Sequence, residues 1–303
     1  MLYRTKSGTR TLYRSRPLLL TPQQAYTRPS PGKAWFATTT SVWRVDEIIK
    51  RSVRDWRRLT GETGHTGERA ETMRADHESV YTGTHSVFAA PLVEWILLRY
   101  GGEPGGHILD AFAGGPPRAL VSTIMGYRYT GFEIRQSQID ENKNTLKQLG
   151  LTECNYILAD GRYLADDIGP FDVALTCPPY YDLEVYSDLE NDLSNLATYG
   201  QFNFGMYSCA LAHAKVMKPG AFVCIVVGNF RDKKGELVDF RAHTVENFQE
   251  VGFVFWQDVI LVKNTGSATI RSTNAWRGKK LVPIHEHLLV FRQPENKKVE
   301  ADE

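Results

Sequence analysis

The residues with the most chemical content lie in one stretch, Phe171-Asp172-Val173-Ala174-Leu175-Thr176-Cys177-Pro178-Pro179-Tyr180-Tyr181-Asp182. The apolar run Val173 to Leu175 reads as a buried strand of a parallel sheet. Two prolines then stop it. Neither has a backbone N–H, and the first forces Cys177 into an extended conformation, so the ladder cannot continue. A rigid turn with two aromatic rings behind it is therefore held at the carboxyl end of a strand, the edge where open α/β sheets bind ligands. A thiol there could attack C6 of a pyrimidine, although no partner motif for that chemistry accompanies it. The plainer alternative is a Pro-Pro strand stop capped by aromatic rings.

Three acids sit at other strand ends. His107-Ile108-Leu109-Asp110 runs into Ala111-Phe112-Ala113-Gly114-Gly115, a small-residue loop that lets backbone approach a ligand closely. The Gly-x-Gly-x-x-Gly spacing of a dinucleotide loop is missing. Glu133 closes the next strand, nineteen residues beyond Gly114. That spacing suits an acid gripping ribose hydroxyls, since a carboxylate accepts two hydrogen bonds from a vicinal diol. Asp160 ends a third strand, Tyr156 to Asp160, where an Asp-Gly turn is the simplest explanation.

Thr176-Cys177-Pro178-Pro179-Tyr180 resembles the (Asp/Asn/Ser)-Pro-Pro-Tyr signature of S-adenosylmethionine-dependent DNA amino-methyltransferases, which methylate cytosine N4 or adenine N6. The extended form through Ser187 is similar to phage-type members, and the resemblance covers about residues 85 to 291. It departs at Cys177, where Asp, Asn or Ser is usual. The resemblance implies catalytic roles for Cys177, Pro178, Pro179 and Tyr180, with Tyr180 stacking on a base flipped out of the duplex. It implies a pocket for S-adenosylmethionine formed by Phe88, Asp110, Phe112, Ala113, Gly114, Glu133 and Asp160, the last accepting from the adenine amine. Two other readings stay open: C5-pyrimidine methylation with Cys177 as nucleophile, and a catalytically inactive DNA-binding relative. The choice between cytosine N4 and adenine N6 stays open as well, as do RNA or protein acceptors and the recognition sequence.

The elements that must position these residues alternate strand and helix, which predicts a doubly wound, mostly parallel Rossmann-like α/β sheet. Helices are expected from Pro91 to a stop at Gly101-Gly102, from about Pro116 to Met125, from about Gln136 to Leu149, from Tyr199 to Met217, and from Arg241 to Val251. Lys218-Pro219-Gly220 is expected to turn into a buried strand from Ala221 to Gly228. Phe253 to Val262 and His287 to Phe291 are expected to form a terminal antiparallel hairpin. Between them, residues 263–283 carry five basic residues and no acid up to Lys280. They are expected to form a DNA-facing loop without regular structure, with Arg271, Arg277, Lys279 and Lys280 on phosphates and Asn274 or Ser267 on base edges.

Domain boundaries are expected at 1–84, 85–293 and 294–303, the last a charged tail. Residues 1–45 contain no acid and eight Lys or Arg interleaved with aromatic residues. Pro17, Pro22, Pro29 and Pro31 argue there against continuous helix or strand. A nucleic-acid arm, a solvated tail and an organellar transit peptide all fit that composition. Val45 to Leu59 has the periodicity of an amphipathic helix, and residues 60–84 read as a linker.

Over all 303 residues, 42% are hydrophobic, 23% are charged and the formal charge is +1, as in an ordinary soluble globular chain. Four cysteines without Cys-x-x-Cys spacing give neither a zinc site nor a disulfide framework and suit a reducing cytoplasm. No apolar run is long enough to span a membrane. The resemblance implies S-adenosylmethionine and DNA as partners; no metal and no membrane are expected, and the oligomeric state is open.

Overall fold

Strands buried on both faces of a sheet tend to be apolar along their length, and the chain comes nearest to that demand in the central stretches Val173 to Leu175 and Ala221 to Val227. The computed structural model describes residues 2–4, 10–12, 42–44, 88–151, 154–183, 186–262 and 268–295. The expected helix at 45–59, the linker at 60–84 and the tail beyond Glu295 lie outside the described residues, as does most of the basic arm. Near the N-terminus, β1 (Leu2–Arg4) pairs antiparallel with β2 (Arg10–Leu12), and β3 (Val42–Arg44) runs parallel to an edge of the main sheet. β3 thus adds an edge strand to the main sheet from within residues 1–84.

The main domain alternates as the sequence predicts. It runs α1 (Ala90–Tyr100), β4 (His107–Asp110), α2 (Pro117–Ile124), β5 (Arg128–Glu133), α3 (Gln136–Gln148) and β6 (Cys154–Leu158). It continues with β7 (Phe171–Thr176), α4 (Tyr199–Val216), β8 (Met217–Val227), β9 (Phe230–Arg231) and β10 (Leu237–Val238). The last elements are α5 (Phe240–Glu250), β11 (Val254–Val262), α6 (Ala268–Arg277) and β12 (His285–Arg292). Sequence punctuation explains several ends. A proline opens both α1 and α2, and Thr198 with Gln201 forms a capping box on α4.

The eight-stranded sheet has the order β3-β11-β12-β8-β7-β4-β5-β6, and β12 is antiparallel to both its neighbours. Chain order runs outward from β4 through β5 to β6, then returns to β7 and β8 on the other side. The switch point between β4 and β7 opens a crevice at their carboxyl ends, where a ligand finds strand-end loops rather than a crossover. Two apolar layers enclose the sheet. Trp95, Ile96, Leu120 and Ile139 pack on one face, and Phe202, Met206, Phe240 and Phe248 on the other.

Two expectations about segments are corrected. Lys218-Pro219-Gly220 lies inside β8 instead of preceding it, next to a register shift in the β7–β8 ladder, and Lys218 Nζ pairs with Asp172 at 2.5 Å. The stretch expected to be an unstructured basic loop carries α6.

Among the described residues, three buried side-chain polar atoms have no hydrogen-bond partner, the Tyr156 hydroxyl, His213 Nε2 and Arg292 Nε, and the histidine ties stability to pH. His213 on α4 is fully buried, its Nδ1 lies 2.8 Å from the Cys209 carbonyl, and its Nε2 has no partner. Burial pushes its pKa down to about 4 from the ordinary 6.5. Above pH 6.5 the ring is neutral whether folded or unfolded. Between pH 6.5 and 4 only the unfolded chain takes the proton, so stability falls as pH falls, by up to about 3 kcal/mol. Urea unfolding at pH 7.5 and 5 should show this loss in the wild type and a smaller one in His213→Leu. Equal losses would refute the assignment.

Candidate active site

The loop leaving β4 is held from below by a buried ion pair. Asp110 is fully buried, and its Oδ2 accepts from Arg118 Nε at 2.6 Å and from the Tyr129 hydroxyl at 2.7 Å. Its Oδ1 accepts from the Thr176 hydroxyl at 2.8 Å and from the Phe112 amide at 3.2 Å. Arg118, in the first turn of α2, also donates to the carbonyls of Phe112 (2.5 Å) and Ala113 (2.9 Å). Burial alone would lower the guanidinium pKa, but the charge and hydrogen bond of Asp110 offset it and hold the group above its ordinary value. Burial, reinforced by Asp110, likewise raises the Tyr129 phenol well above its usual range, so it stays a donor. Asp110, expected among the cofactor-binding residues, therefore shows no exposed face to a ligand. Its four contacts fill the lone-pair sites of a carboxylate, and it positions the loop instead.

Above that pair the loop is clipped from both sides. Gly114 donates to Glu133 Oε2 at 3.1 Å, and its carbonyl accepts from Asn142 of α3 at 2.7 Å. Gly114 has φ +48°, a conformation glycine adopts without the Cβ penalty. A Cβ added at Gly114 would stand 3.9 Å from the Arg118 guanidinium and one at Gly115 3.8 Å from the Pro117 ring, ordinary van der Waals contact, so the backbone there is closely approached without being crowded. Glu133 Oε1 accepts from the Arg135 amide at 2.9 Å and lies 3.4 Å from the Arg135 Nε, so Oε2, which accepts from the Gly114 amide, keeps acceptor capacity beside the loop. Phe88 packs nearby, with the Arg118 guanidinium 5.0 Å from its ring centroid. A cradle of close backbone, an acid with spare acceptor capacity and an aromatic ring fit a nucleoside cofactor.

Asp160 departs from expectation. Both its oxygens are engaged by Arg162, through Nε at 3.0 Å to each and Nη2 at 2.6 Å to Oδ2, and Oδ1 also accepts the Arg162 amide. Arg162 continues to the Asn191 carbonyl at 2.8 Å. An adenine amine could be accepted only by displacing or sharing that bidentate contact.

The turn after β7 brings the other expected residues to the same crevice. Thr176 ties it to the loop directly, since its hydroxyl also accepts from the Phe112 amide at 3.0 Å. Cys177 is half-buried with its Sγ 4.0 Å from the Pro178 carbonyl oxygen, and Pro178 is buried. Tyr181 has φ +51°, a left-handed conformation costing about 1–2 kcal/mol for a residue with a side chain. Its ring is caged by Tyr199, Phe202 and Phe230. Tyr180 packs its ring against Phe240, a neighbour of Phe202 and Phe230 in the same cluster, and its hydroxyl donates to Glu286 Oε1 at 2.9 Å. Gly228 makes that contact possible, because a Cβ there would stand 3.3 Å from Glu286 Cγ and 3.7 Å from the Tyr180 hydroxyl.

Arg271, Asn274 and Arg277 lie on α6, and Lys279 and Lys280 in the turn that ends it. Ser267 lies outside the described residues. Sequence reasoning missed Arg118, Tyr129, Thr176 and Glu286. A lone cation opening the apolar helix Pro117-Arg118-Ala119-Leu120-Val121 was a usable signal for the first. Glu286 reaches Tyr180 only through the register of β12 on β8, which no local pattern encodes.

Among the described residues, no cluster of His, Cys, Asp and Glu could hold a metal ion, and no helix is long and apolar enough to cross a membrane. Residues 171–303 match the model of the N6/N4 methyltransferase family described as DNA methylase, a family of S-adenosylmethionine-dependent enzymes. Comparison with curated proteins finds no match. Among solved structures, the [4+2]-cyclase SpnF aligns at TM-score 0.50 and 14% identity, covering 83% of this chain and 95% of its own. TrmN from Thermus thermophilus aligns at 0.47 and 13%, covering 68% of this chain, which spans only 49% of TrmN. A precorrin-6y C5,15-methyltransferase from Geobacter metallireducens GS-15 aligns at 0.47 and 11%, covering 70% and 93%. At these identities the likeness is one of fold.

Arg118→Met should lower stability by about 3–5 kcal/mol, because it strands a buried carboxylate. Chemical denaturation measures this directly. A loss below about 1 kcal/mol would mean that the pair is not the anchor described.

Proposed function

We propose, on the premise that residues 171–303 are those of an N6/N4-type DNA methylase, that the protein methylates the exocyclic amine of cytosine or adenine in DNA. The observation that carries this reading is the meeting of the Cys177-Pro178-Pro179-Tyr180 turn with the Gly114–Glu133 cradle across the β4–β7 switch point, joined by Thr176. S-adenosylmethionine, when bound, supplies an electrophilic methyl group on a sulfonium. Glu133 is the residue to hold its ribose hydroxyls, and the backbone of Phe112 to Gly115 lets it approach closely. Asp110 and Arg118 fix that backbone through direct hydrogen bonds and do not themselves contact the cofactor in this reading.

An aromatic amine is a poor nucleophile, because its lone pair is delocalised into the ring. Acceptors aimed at its hydrogens favour the geometry in which that lone pair can attack. The Pro178 carbonyl has no competing ladder bond and is the principal acceptor in this reading. Cys177 stands where a stronger acceptor is usual, and a thiol is a weak one. In such a transfer the nitrogen–methyl bond would form as the methyl–sulfur bond breaks, its electron pair leaving with sulfur as a neutral thioether, and the methylated amine would give up a proton to solvent. Tyr180 offers a ring on which the extruded base stacks. Glu286, by accepting from the Tyr180 hydroxyl, fixes that ring and so positions the base. A cytoplasmic setting accords with this substrate. Membership of a phage or of a restriction–modification system is part of the same proposal and rests on the sequence resemblance alone.

Transfer from isotopically labelled S-adenosylmethionine to DNA, followed by nucleoside mass spectrometry, should place label in N4-methylcytosine or N6-methyladenine. Label in 5-methylcytosine would make Cys177 a nucleophile and replace this mechanism. Tyr180→Ala should abolish transfer with cofactor binding nearly intact, and equal loss of both would contradict the stacking role. Cys177→Ser should retain or raise amine methylation. Glu286→Ala should lower kcat about tenfold, with Glu286→Gln retaining most of it, since the amide oxygen still accepts.

A further inference from the structure

An aromatic and cationic ridge flanks the mouth of this site, built by two elements that sequence reading did not distinguish. The first is the hairpin of β9 and β10, which pair antiparallel around the turn Asp232 to Glu236. The second is the turn ending α6, where Lys279 takes φ +51° and the amides of Lys279 and Lys280 bond back to the carbonyls of Trp276 and Ala275. The two touch. The Lys280 ammonium lies over Gly235, where an added Cβ would collide with it. The hairpin in turn reaches the catalytic turn, because Lys233 Nζ pairs with Asp182 Oδ2 at 3.3 Å, two residues beyond Tyr180. A continuous path of contacts thus runs from the Pro-Pro-Tyr segment through the hairpin to the end of α6.

At the end of that path Trp276 is 82% exposed and Leu281 86% exposed. Lys233, Lys234, Arg277 and Lys279 are exposed on the same two elements, as is Glu236, while Asp232 is turned onto the amides of Lys234 and Glu236. Such an indole meets water on nearly its whole surface, so its contribution comes from a partner that covers it. The partner must combine a π-face with negative charge at spacings that several cations can follow. Bases with their phosphates do so, and base–aromatic stacking tolerates any sequence. A lipid surface would need an apolar helix face, which the polar α6 sequence Ala-Thr-Ile-Arg-Ser-Thr-Asn-Ala-Trp-Arg lacks.

We propose that Trp276 stacks on a base flanking the target while the hairpin and the α6 turn hold the adjoining phosphates. This interface deepens the DNA-methylation reading and rests on it. The residues assigned to it from sequence gain a partner element, the hairpin, and an aromatic anchor.

The test uses the full chain with a fluorescein-labelled mixed-sequence DNA duplex of about twenty base pairs. Trp276→Ala should bind about tenfold more weakly, the loss expected of one base–aromatic stack. Lys234→Gln and Lys279→Gln should each reduce the salt slope of binding by about one. The difference in tryptophan emission between wild type and Trp276→Phe isolates this indole among the six. It should be quenched by DNA but not by heparin, which offers charge without bases. If Trp276→Ala binds and methylates DNA as the wild type does, the interface is wrong and the methylation reading stands. Trp276-dependent uptake on phosphatidylserine vesicles, with no effect on DNA binding, would equally overturn it. A wild-type chain that neither binds nor methylates DNA would remove the methylation reading itself, and this interface with it.

Discussion

The buried pair of Asp110 and Arg118 is the contact on which the site depends. Two charges removed from water are tolerated only when their mutual attraction is supplemented by hydrogen bonds to every remaining acceptor and donor. Here the supplements come from Tyr129 on β5, Thr176 on β7, the Phe112 amide and the carbonyls of Phe112 and Ala113. Each helps to solvate the pair and is itself fixed by doing so. Three strands and one loop therefore share a single electrostatic knot, and the loop is shaped before any ligand arrives. Preorganisation of this kind reduces the ordering cost of binding.

Rigidity on the opposite side of the crevice has a different origin. The Cys177-Pro178-Pro179 turn is stiff because proline fixes φ, and the two tyrosines after it are held by packing rather than by charge. Tyr181 is kept in a left-handed conformation by a cage of three aromatic rings, a local strain that the surroundings must over-determine. Both tyrosine rings pack on the same aromatic cluster, and the Tyr180 hydroxyl reaches Glu286 beyond it. The antiparallel strand β12 thereby contributes a side chain to a site otherwise built at parallel strand ends. Thr176 is the hinge between the two halves, since it serves both the knot and the strand that leads into the turn.

Much of the scaffold was legible in the sequence, and the physical reason is local. Buried parallel strands must be apolar throughout, and prolines and glycines mark where they stop, so β4, β5, β7 and the helices between them could be placed from short windows. The order of Gly114, Glu133, Asp160 and Pro-Pro-Tyr along the chain pointed to one sheet edge for the same reason. What those residues do once there was less legible. Asp110 and Asp160 are both acids at strand ends, yet one is buried under Arg118 and the other is engaged by Arg162, and neither partner follows from spacing. The segment around Trp276 read as loop because α6 has weak helix formers and no apolar stripe. Its helicity reflects tertiary context, which a window of ten residues does not contain. The placement of β3 against β11 belongs to the same class, a pairing between segments more than two hundred residues apart.

The central claim is that one crevice, at the β4–β7 switch point, holds the nucleoside of the cofactor on a loop already fixed by Asp110 and Arg118. A crystal structure with S-adenosylhomocysteine tests it most directly. The account predicts ribose hydroxyls on Glu133, the ligand against the backbone of Phe112 to Gly115, and an Asp110–Arg118 contact unchanged by binding. A nucleoside seated elsewhere, such as the surface groove lined by Arg162, Tyr163 and Phe204, would contradict it. So would an Asp110 carboxylate swung out of its buried pair to meet the ligand.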